Sequence, residues 1–194
     1  MILEKIILAS QSPRRKQLLE WAEINFDVMV SEADESFPDT LSVEDAAVYI
    51  ARNKAQAVKA KADNSLPVLA ADTIVVCDNQ ILGKPSDKDE AIRFIGMLSG
   101  KTHQVITGVV ILYEGKEISF SDITEVVFHE LTNEQIVFYV DKYKPYDKAG
   151  AYAIQEWIGV VGIKSVKGDF YNVMGLPVSR VVKELKKIGI GRLK

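Results

Sequence analysis

The chain has 194 residues, 47% of them hydrophobic and 26% charged, which is the balance of an ordinary globular protein. Its formal net charge of −3 argues against a protein that coats nucleic acid, because such binding depends on neutralising many phosphates. A single cysteine excludes an internal disulfide, and two histidines are too few for a zinc site of the usual His/Cys type. No signal peptide is recognisable, and no segment approaches the roughly 20 apolar residues of a membrane span. We therefore expect a cytoplasmic protein with no membrane partner and no stable nucleic-acid binding.

Short apolar strands alternate with amphipathic helices along the first half of the chain, a pattern that predicts a mixed α/β fold. Ser12 and Pro13 are favourable at the start of a helix, and Ser42 is a suitable cap for a second, longer one. Asp78 and Asn79 predict a turn that sends the chain back in a hairpin-like return. Apolar runs predict strands at 5–10, 25–31, 67–77 and 80–83.

The second half of the chain continues the alternation. Ser86 is the expected cap of a helix that stops at Gly100, and Thr132 with Gln135 matches a capping box. A last helix is predicted from Pro177, with apolar residues at helical spacing. Strands are predicted at 103–113, at 116–130 and around 157–170.

The first candidate site is the turn that leads from the first strand into a basic helix start. Ser10 and Ser12 turn the chain, and Arg14, Arg15 and Lys16 follow in the first helical turns. Cations are unfavourable there because a helix N-terminus already carries partial positive charge. A bound polyanion would offset that effect by using backbone N–H groups, hydroxyls and guanidinium groups together. The alternative is a solvated basic helix start with an incidental cap; local physics favours phosphate binding.

Asp72 interrupts the most hydrophobic predicted strand and is the second candidate. A carboxylate is unfavourable in such a strand unless it is paired or bound to a metal ion. Asp72 could ligate Mg²⁺, activate water or do both, and the alternative is a hydrogen-bonded structural aspartate. Asp34 and Glu35 resemble ordinary loop carboxylates. They become relevant if Glu35 meets Asp72 in space, since paired carboxylates hold the Mg²⁺ of a nucleotide.

Three further segments carry weaker signals. Lys84 lies between Gly83 and Pro85, which would aim it at a phosphate, but such turns are common on surfaces. Arg52 and Lys54 lie on the helix that begins at Ser42, where a solvated face is the favoured interpretation.

The segment 147–155 contains small residues that permit close backbone approach. Its last residue, Gln155, offers the donor and acceptor needed to read a base edge. A tight turn into a strand is an equally good local interpretation. His103 and Cys77 are expected to be packed core residues rather than a ligand and a nucleophile.

Taken together and in this order, the candidate segments resemble those of the Maf family of nucleotide pyrophosphatases. The matches span nearly the whole chain, which makes the resemblance highly specific. The matching segments are ASQSPRR at 9–15, ARNKA at 51–55, LAADTIV at 69–75, GKP at 83–85, SGKTHQVITGV at 99–109, DKAGAYAIQ at 147–155 and NVMGLP at 172–177.

The resemblance implies an α/β fold of the Maf/ITPase-like kind. In that fold a mixed, twisted sheet in two lobes is flanked by helices and contains a deep substrate cleft. Members of the family are commonly homodimers. The chain shows no internal repeat or linker, so residues 1–194 are predicted to form a single domain of this kind.

The resemblance also implies cleavage of a nucleoside triphosphate between its α and β phosphates with Mg²⁺, or with Mn²⁺ in its place. Asp72 matches the family's proton acceptor, and Glu35 matches the acidic residue beside the metal ion. The positions that match phosphate-binding residues are Ser10, Arg14, Arg15, Lys54 and Lys84.

The substrate implied by the resemblance is dTTP or UTP, and modified pyrimidine nucleotides are included. Arg14, Thr73 and Gln155 match that branch of the family, whereas the other branch prefers 7-methyl-GTP. One departure is that many members have glycine after Gln155, whereas this chain has Glu156 and Trp157, which could alter the base preference. A different alternative is a nucleotide-binding regulator of septum formation, which would need a phosphate cradle but no catalytic base.

Overall fold

A mixed β-sheet flanked by helices forms the framework of the protein in a computed structural model that describes residues 5–30, 32–62 and 65–190. The strands are β1 (Ile6–Leu8), β2 (Phe26–Val28), β3 (Val68–Cys77), β4 (Gln80–Leu82), β5 (Thr102–Tyr113), β6 (Lys116–Phe128) and β7 (Ile163–Lys167). The helices are α1 (Pro13–Trp21), α2 (Val43–Lys59), α3 (Lys88–Leu98), α4 (Asn133–Tyr143), α5 (Trp157–Gly162), α6 (Phe170–Val173) and α7 (Val178–Lys187), with a 3-10 turn at Ala149–Ala151. Among these described helices, none is long and apolar enough to cross a membrane.

The strands pair in both directions, which confirms the predicted mixed sheet. Over the described residues they are hydrogen-bonded in the order β2-β1-β3-β5-β6-β7, and β4 pairs with β3. Strand β1 is parallel to β2 and β3, whereas β4 is antiparallel to β3 and β7 is antiparallel to β6. Parallel neighbours require long crossovers, and α1 and α2 provide them between β1, β2 and β3.

The described residues group into two compact units. The first comprises those of the ranges Met1–Asp72, Thr107–Asp122 and Gly175–Lys194, and the second comprises Thr73–Ile106 and Ile123–Met174. The chain changes unit within β3, β5 and β6. A single functional domain over 1–194 stays a prediction.

Helix α2 packs closely on the strands of the first unit through small residues. Ala51 and Ala55 are fully buried in a core that also contains residues of β1, β3 and β5. Gly108 of β5 lies so near α2 that a Cβ there would be 2.2 Å from the carbonyl carbon of Ala47. The small side chains therefore set the distance between the helix and the strand.

An aromatic cluster occupies the interior of the second unit. His103 is 2% exposed and lies edge-on to the rings of Phe128 and Tyr152, and its Nε2 is 2.8 Å from the Tyr152 hydroxyl. Burial lowers the pKa of His103 to about 4. Cys77 is also buried, which raises the pKa of its thiol. The prediction that both are packed core residues is confirmed.

Most helix starts agree with the sequence. Ser12 and Ser42 accept hydrogen bonds from the backbone of the first turn, and Thr132 forms the complete capping box with Gln135. The prediction that Ser86 caps α3 is wrong by one residue. Asp87 is the cap, because Glu90 binds the backbone and hydroxyl of Ser86 while its own N–H donates to Asp87.

The predicted strands differ from the structure chiefly near the C-terminal end. The segment 157–170 was expected to be strand, but Trp157–Gly162 forms helix α5 and β7 follows only at Ile163–Lys167. β-Branched residues made this segment look extended, yet tertiary packing overrides such propensities. The second strand is also shorter than the predicted range 25–31, whose residue 31 lies outside the described residues.

Candidate active site

Lys54 lies between two carboxylates in the first unit. Its Nζ is 2.6 Å from Asp72 Oδ1 and 2.7 Å from Glu35 Oε1. The side chains of Lys54 and Asp72 are 16% and 15% exposed, whereas that of Glu35 is 52% exposed. The site is therefore deep at Asp72 and open at Glu35. The two acidic residues meet through a shared ammonium, which fulfils the condition that made Glu35 relevant.

The location of Lys54 differs from the solvated helix face expected for it. Arg52, two residues earlier on α2, forms a salt bridge with Glu117 of β6 at 2.8 Å and fits that expectation better. Lys54 projects from the same helix toward β3, where Asp72 is half-buried in a strand that is otherwise mostly buried. The ammonium offsets the unfavourable burial of the Asp72 carboxylate.

The turn between β1 and α1 holds a buried arginine. Ser10 Oγ accepts hydrogen bonds from the N–H of Ser12 and from Arg15 Nη1, each at 3.2 Å. Arg15 Nε donates to the carbonyl of Gly175 at 2.8 Å, so the guanidinium also ties a distant segment to the turn. Arg14, beside it, is half-buried.

The same arginine is electrostatically coupled to the acidic pair. Burial lowers the pKa of the Arg15 guanidinium, the charge of Asp72 raises it, the neighbouring Arg14 lowers it and the charge of Glu35 raises it. An arginine remains charged in a protein despite such effects. We use the name charged cluster for Ser10, Arg14, Arg15, Glu35, Lys54 and Asp72.

The remaining candidates belong to the second unit. Thr73 follows Asp72 in β3 and is half-buried, whereas Lys84 and Gln155 are exposed. The N–H of Gly150 donates to the carbonyl of Gly83 at 3.1 Å, which brings the segment that carries Lys84 next to the segment 147–155.

The family model described as Maf-like protein matches residues 5–188 of this chain. The chain belongs to the Maf family. It is 52% identical to the dTTP/UTP pyrophosphatase of Cytophaga hutchinsonii over 183 residues, which are 94% of this chain and 84% of that protein. It is 49% identical to the dTTP/UTP pyrophosphatase of Phocaeicola vulgatus over 185 residues, covering 95% of this chain and 96% of that one.

Among solved structures, the Maf chain is similar to a HAM1 protein from Coxiella burnetii. The TM-score is 0.52 at 14% sequence identity, over 95% of this chain and all of that one. This likeness concerns the fold, and it agrees with the predicted α/β architecture.

The acidic side chains of the Maf chain fit a metal ion that is shared with a substrate. Within residues 5–30, 32–62 and 65–190, no group of three or more His, Cys, Asp or Glu side chains could hold a metal ion alone. Asp72 and Glu35 nevertheless bring two carboxylates to one place, where both contact the ammonium of Lys54. Mg²⁺ is usually bound by one or two carboxylates together with substrate phosphates.

Sequence reasoning missed the partners of Glu156 in the Maf chain. The hydroxyl of Tyr139 donates a hydrogen bond to Glu156, and Lys148 Nζ lies 3.7 Å from its carboxylate. Trp157 packs on the ring of Phe138 with 5.0 Å between ring centroids. The sequence feature that could have indicated this contact is Lys148, which directly precedes the small residues 149–151. Glu156 and Trp157 are thus held within the second unit by contacts of their own.

Proposed function

We propose that this Maf protein hydrolyses dTTP and UTP to the corresponding monophosphate and pyrophosphate. Two relatives that match nearly the whole chain bear the name of that activity, which supports the proposal. The observation that carries it is the charged cluster, in which one lysine lies between two carboxylates beside a basic turn. Such an arrangement suits a polyphosphate accompanied by a divalent cation.

The basic residues of the cluster bind the phosphates. Arg15 supplies positive charge from a fixed position, because Gly175 and Ser10 hold its guanidinium. Groups that are positioned before the reaction stabilise developing charge without further reorganisation. Arg14, Lys54 and Ser10 bind the phosphate chain in the same region, and Lys84 contributes a further cation.

The hydrolytic step is in-line attack of water on the α phosphorus, with pyrophosphate as the leaving group. Asp72 accepts the proton of the attacking water, directly or through a second water. Glu35 and Asp72 would hold Mg²⁺, or Mn²⁺, which when bound would neutralise charge on the phosphate oxygens. Lys54 contacts both carboxylates and so keeps them in place.

Recognition of the base depends on residues of the second unit. Gln155 offers a donor and an acceptor, as the edge of uracil or thymine requires. Its exposed side chain follows two buried residues, Ala153 and Ile154, so it projects from a packed segment. Thr73, next to Asp72, and Arg14 are the other positions proposed to select the substrate.

We expect residues 1–194 to work as a single domain that assembles as a homodimer in the cytoplasm. The acidic composition, with a net charge of −3, supports the absence of stable nucleic-acid binding.

The proposed reaction is tested with a panel of nucleoside triphosphates and Mg²⁺ or Mn²⁺, in which monophosphate, pyrophosphate and orthophosphate are measured separately. UTP and dTTP should be the preferred substrates and should yield UMP or dTMP with pyrophosphate. Release of the nucleoside diphosphate and orthophosphate in equal amounts would mean attack at the γ phosphorus and would contradict the mechanism. A preference for 7-methyl-GTP would move the protein to the other branch. Binding without turnover would favour the regulator.

A further inference from the structure

Gln155 lies at the centre of a tight turn. The N–H of Glu156 donates to the carbonyl of Ala153 at 3.1 Å and closes the turn around Ile154 and Gln155. Ala153 and Ile154 are 4% and 5% exposed, whereas Gln155 is exposed. The position of the Gln155 side chain therefore depends on how firmly this turn is held.

One buried hydroxyl binds both ends of the turn. Tyr139 of α4 is fully buried, and its hydroxyl accepts a hydrogen bond from the N–H of Ala153 at 3.2 Å. The same hydroxyl donates to the carboxylate of Glu156. A hydroxyl has one proton to donate and lone pairs that accept, so it can make both contacts together.

Lys148 completes the arrangement by placing a cation near the carboxylate of Glu156. Its side chain is 10% exposed, and its Nζ lies 2.7 Å from Asp147 and 3.7 Å from Glu156, whose own side chain is 22% exposed. A carboxylate with so little access to water is unfavourable without a nearby cation. Glu156 is also the N-cap of α5, yet its side chain makes no capping hydrogen bond there.

Helix α5 supports the turn from another side. A Cβ at Gly159 would lie 1.7 Å from the carbonyl oxygen of Ile154, so the helix backbone contacts the turn directly. The turn is thus held by the tyrosine hydroxyl at both ends and by a helix backbone against its centre.

We propose that Tyr139, Glu156 and Lys148, named here the turn clamp, are positioning residues that fix Gln155 for recognition of a pyrimidine base. The inference rests on the proposed function, because it takes Gln155 as the residue that binds the base. Hydrogen-bonded discrimination between bases requires donors and acceptors at defined positions. The clamp supplies that rigidity, and Glu156 acts on selectivity through the turn rather than by touching the base.

The test is the base preference of the Tyr139→Phe variant. Phenylalanine keeps the ring that stacks on Tyr143 but removes the hydroxyl that binds Ala153 and Glu156. The kcat/KM for UTP and dTTP should fall about tenfold, while that for CTP and ATP changes little, so the preference shrinks. Tyr143→Phe is the matched control, since it removes a hydroxyl one turn further along α4 and should leave the preference unchanged.

Three further variants separate the turn clamp from a general loss of structure. Glu156→Gln keeps an acceptor for the Tyr139 hydroxyl and should retain most of the preference, whereas Glu156→Ala should lose it. In a Gln155→Ala background, Tyr139→Phe should have no further effect on the preference, because both changes act through the same side chain.

Failure of the turn clamp and failure of the proposed function give different results. A wild type without preference for UTP and dTTP would overturn the proposed substrate, and the clamp with it. A wild-type preference that survives both Tyr139→Phe and Glu156→Ala would overturn the clamp alone. An equal loss for all four nucleotides in either variant would also overturn it, since it would reveal a purely structural role.

Discussion

Lys54 offsets the charges of two acidic side chains that lie close to its ammonium. Bringing Glu35 and Asp72 to the same place would be unfavourable by itself, because like charges repel and Asp72 is largely buried. Contacts of 2.7 Å and 2.6 Å with one Nζ reverse that effect. Loss of either carboxylate would leave the ammonium paired with the other, so a neutral replacement should be compatible with the fold.

Asp72→Asn tests the proposed base at this position. Asparagine keeps the shape of the side chain but cannot accept the proton of water, so kcat should fall by about 10²–10⁴-fold. Thermal unfolding should remain close to that of the wild type, because Lys54 keeps its contact with Glu35. Turnover is measured as release of pyrophosphate from UTP.

The matched control for this variant is Asp78→Asn. Asp78 also forms a salt bridge of 2.6 Å, with Lys101, but its side chain is 60% exposed and lies outside the charged cluster. Asparagine tolerates the left-handed backbone of that turn position, where φ is 50°. The control should keep wild-type turnover, and similar rates for the two variants would remove Asp72 from catalysis.

His103 should make stability depend on pH. Burial lowers its pKa from 6.5 to about 4, so between these values the folded protein binds fewer protons than the unfolded chain. The contribution of His103 to stability is therefore complete above the pKa that it has in the unfolded chain. It is lost as the pH falls toward the pKa that it has in the folded protein. Between about pH 7 and about pH 5.5, this residue should lower the free energy of unfolding by about 1 kcal/mol. Urea denaturation at both pH values measures the loss.

His103→Phe should reduce that dependence on pH even though it also removes the hydrogen bond to Tyr152. His129→Gln is the control, because His129 is the other histidine of the sequence and is exposed. The same dependence in His103→Phe would show that other groups cause it.

The contact between α2 and β5 leaves no room for a side chain at position 108. A Cβ at position 108 would lie 2.2 Å from the carbonyl carbon of Ala47 and 2.3 Å from the nitrogen of Val48. Both are backbone atoms, so a rotamer change cannot relieve the overlap. Because α2 also carries Lys54, a shift of this helix would alter the charged cluster as well.

Gly108→Ala should therefore destabilise the protein by about 1–3 kcal/mol or more, through displacement of α2. Gly96→Ala is the control: nothing lies within 4 Å of its Cβ position in α3, and alanine is the better helix former by about 1 kcal/mol. Chemical denaturation should rank the control at or above the wild type. Equal stability of both variants would show that α2 and β5 can separate without loss.

A bound nucleotide should stabilise the folded chain as a whole. A ligand that binds only the folded state at 100 times its Kd adds about 2.7 kcal/mol to the free energy of unfolding. Thermal unfolding of the Asp72→Asn variant with UTP and Mg²⁺ measures this effect with little turnover. UTP and dTTP should raise Tm more than ATP does at the same concentration.

Pyrophosphate with Mg²⁺ is the control for the thermal measurement, because it can bind the charged cluster but carries no nucleobase. Its shift in Tm should be smaller than that of UTP. Equal shifts with UTP, dTTP, ATP and pyrophosphate would show that binding depends on the phosphates alone and that Gln155 does not select the base.

The starts of helices could be predicted from the sequence because a cap acts within a few residues. Ser12, Ser42 and Thr132 each accept a bond from a backbone N–H of the following turn. The same locality explains the error at α3, where Ser86 and Asp87 are both suitable caps. The side chain of Glu90, bound to Ser86, leaves Asp87 as the cap.

Helix α5 was beyond sequence reasoning for a different reason. Its apolar and β-branched residues are as typical of a strand as of a short helix. The close contact between Gly159 and the carbonyl of Ile154 belongs to the helical form, and it depends on the packing of the preceding turn. No local pattern reports such a contact.

The family, the alternation of strands and helices and the chemically capable residues could all be predicted from the sequence, because they depend on residue type and short-range order. The contacts between those residues became apparent only from the fold. Lys54 and Asp72 are 18 positions apart, and Tyr139 and Glu156 are 17 apart, yet each pair is in direct contact. Such contacts depend on the packing of whole helices and strands. For that reason Lys54 could be taken for a surface residue, and the contacts of Glu156 with Tyr139 and Lys148 could not be foreseen, until the fold was known.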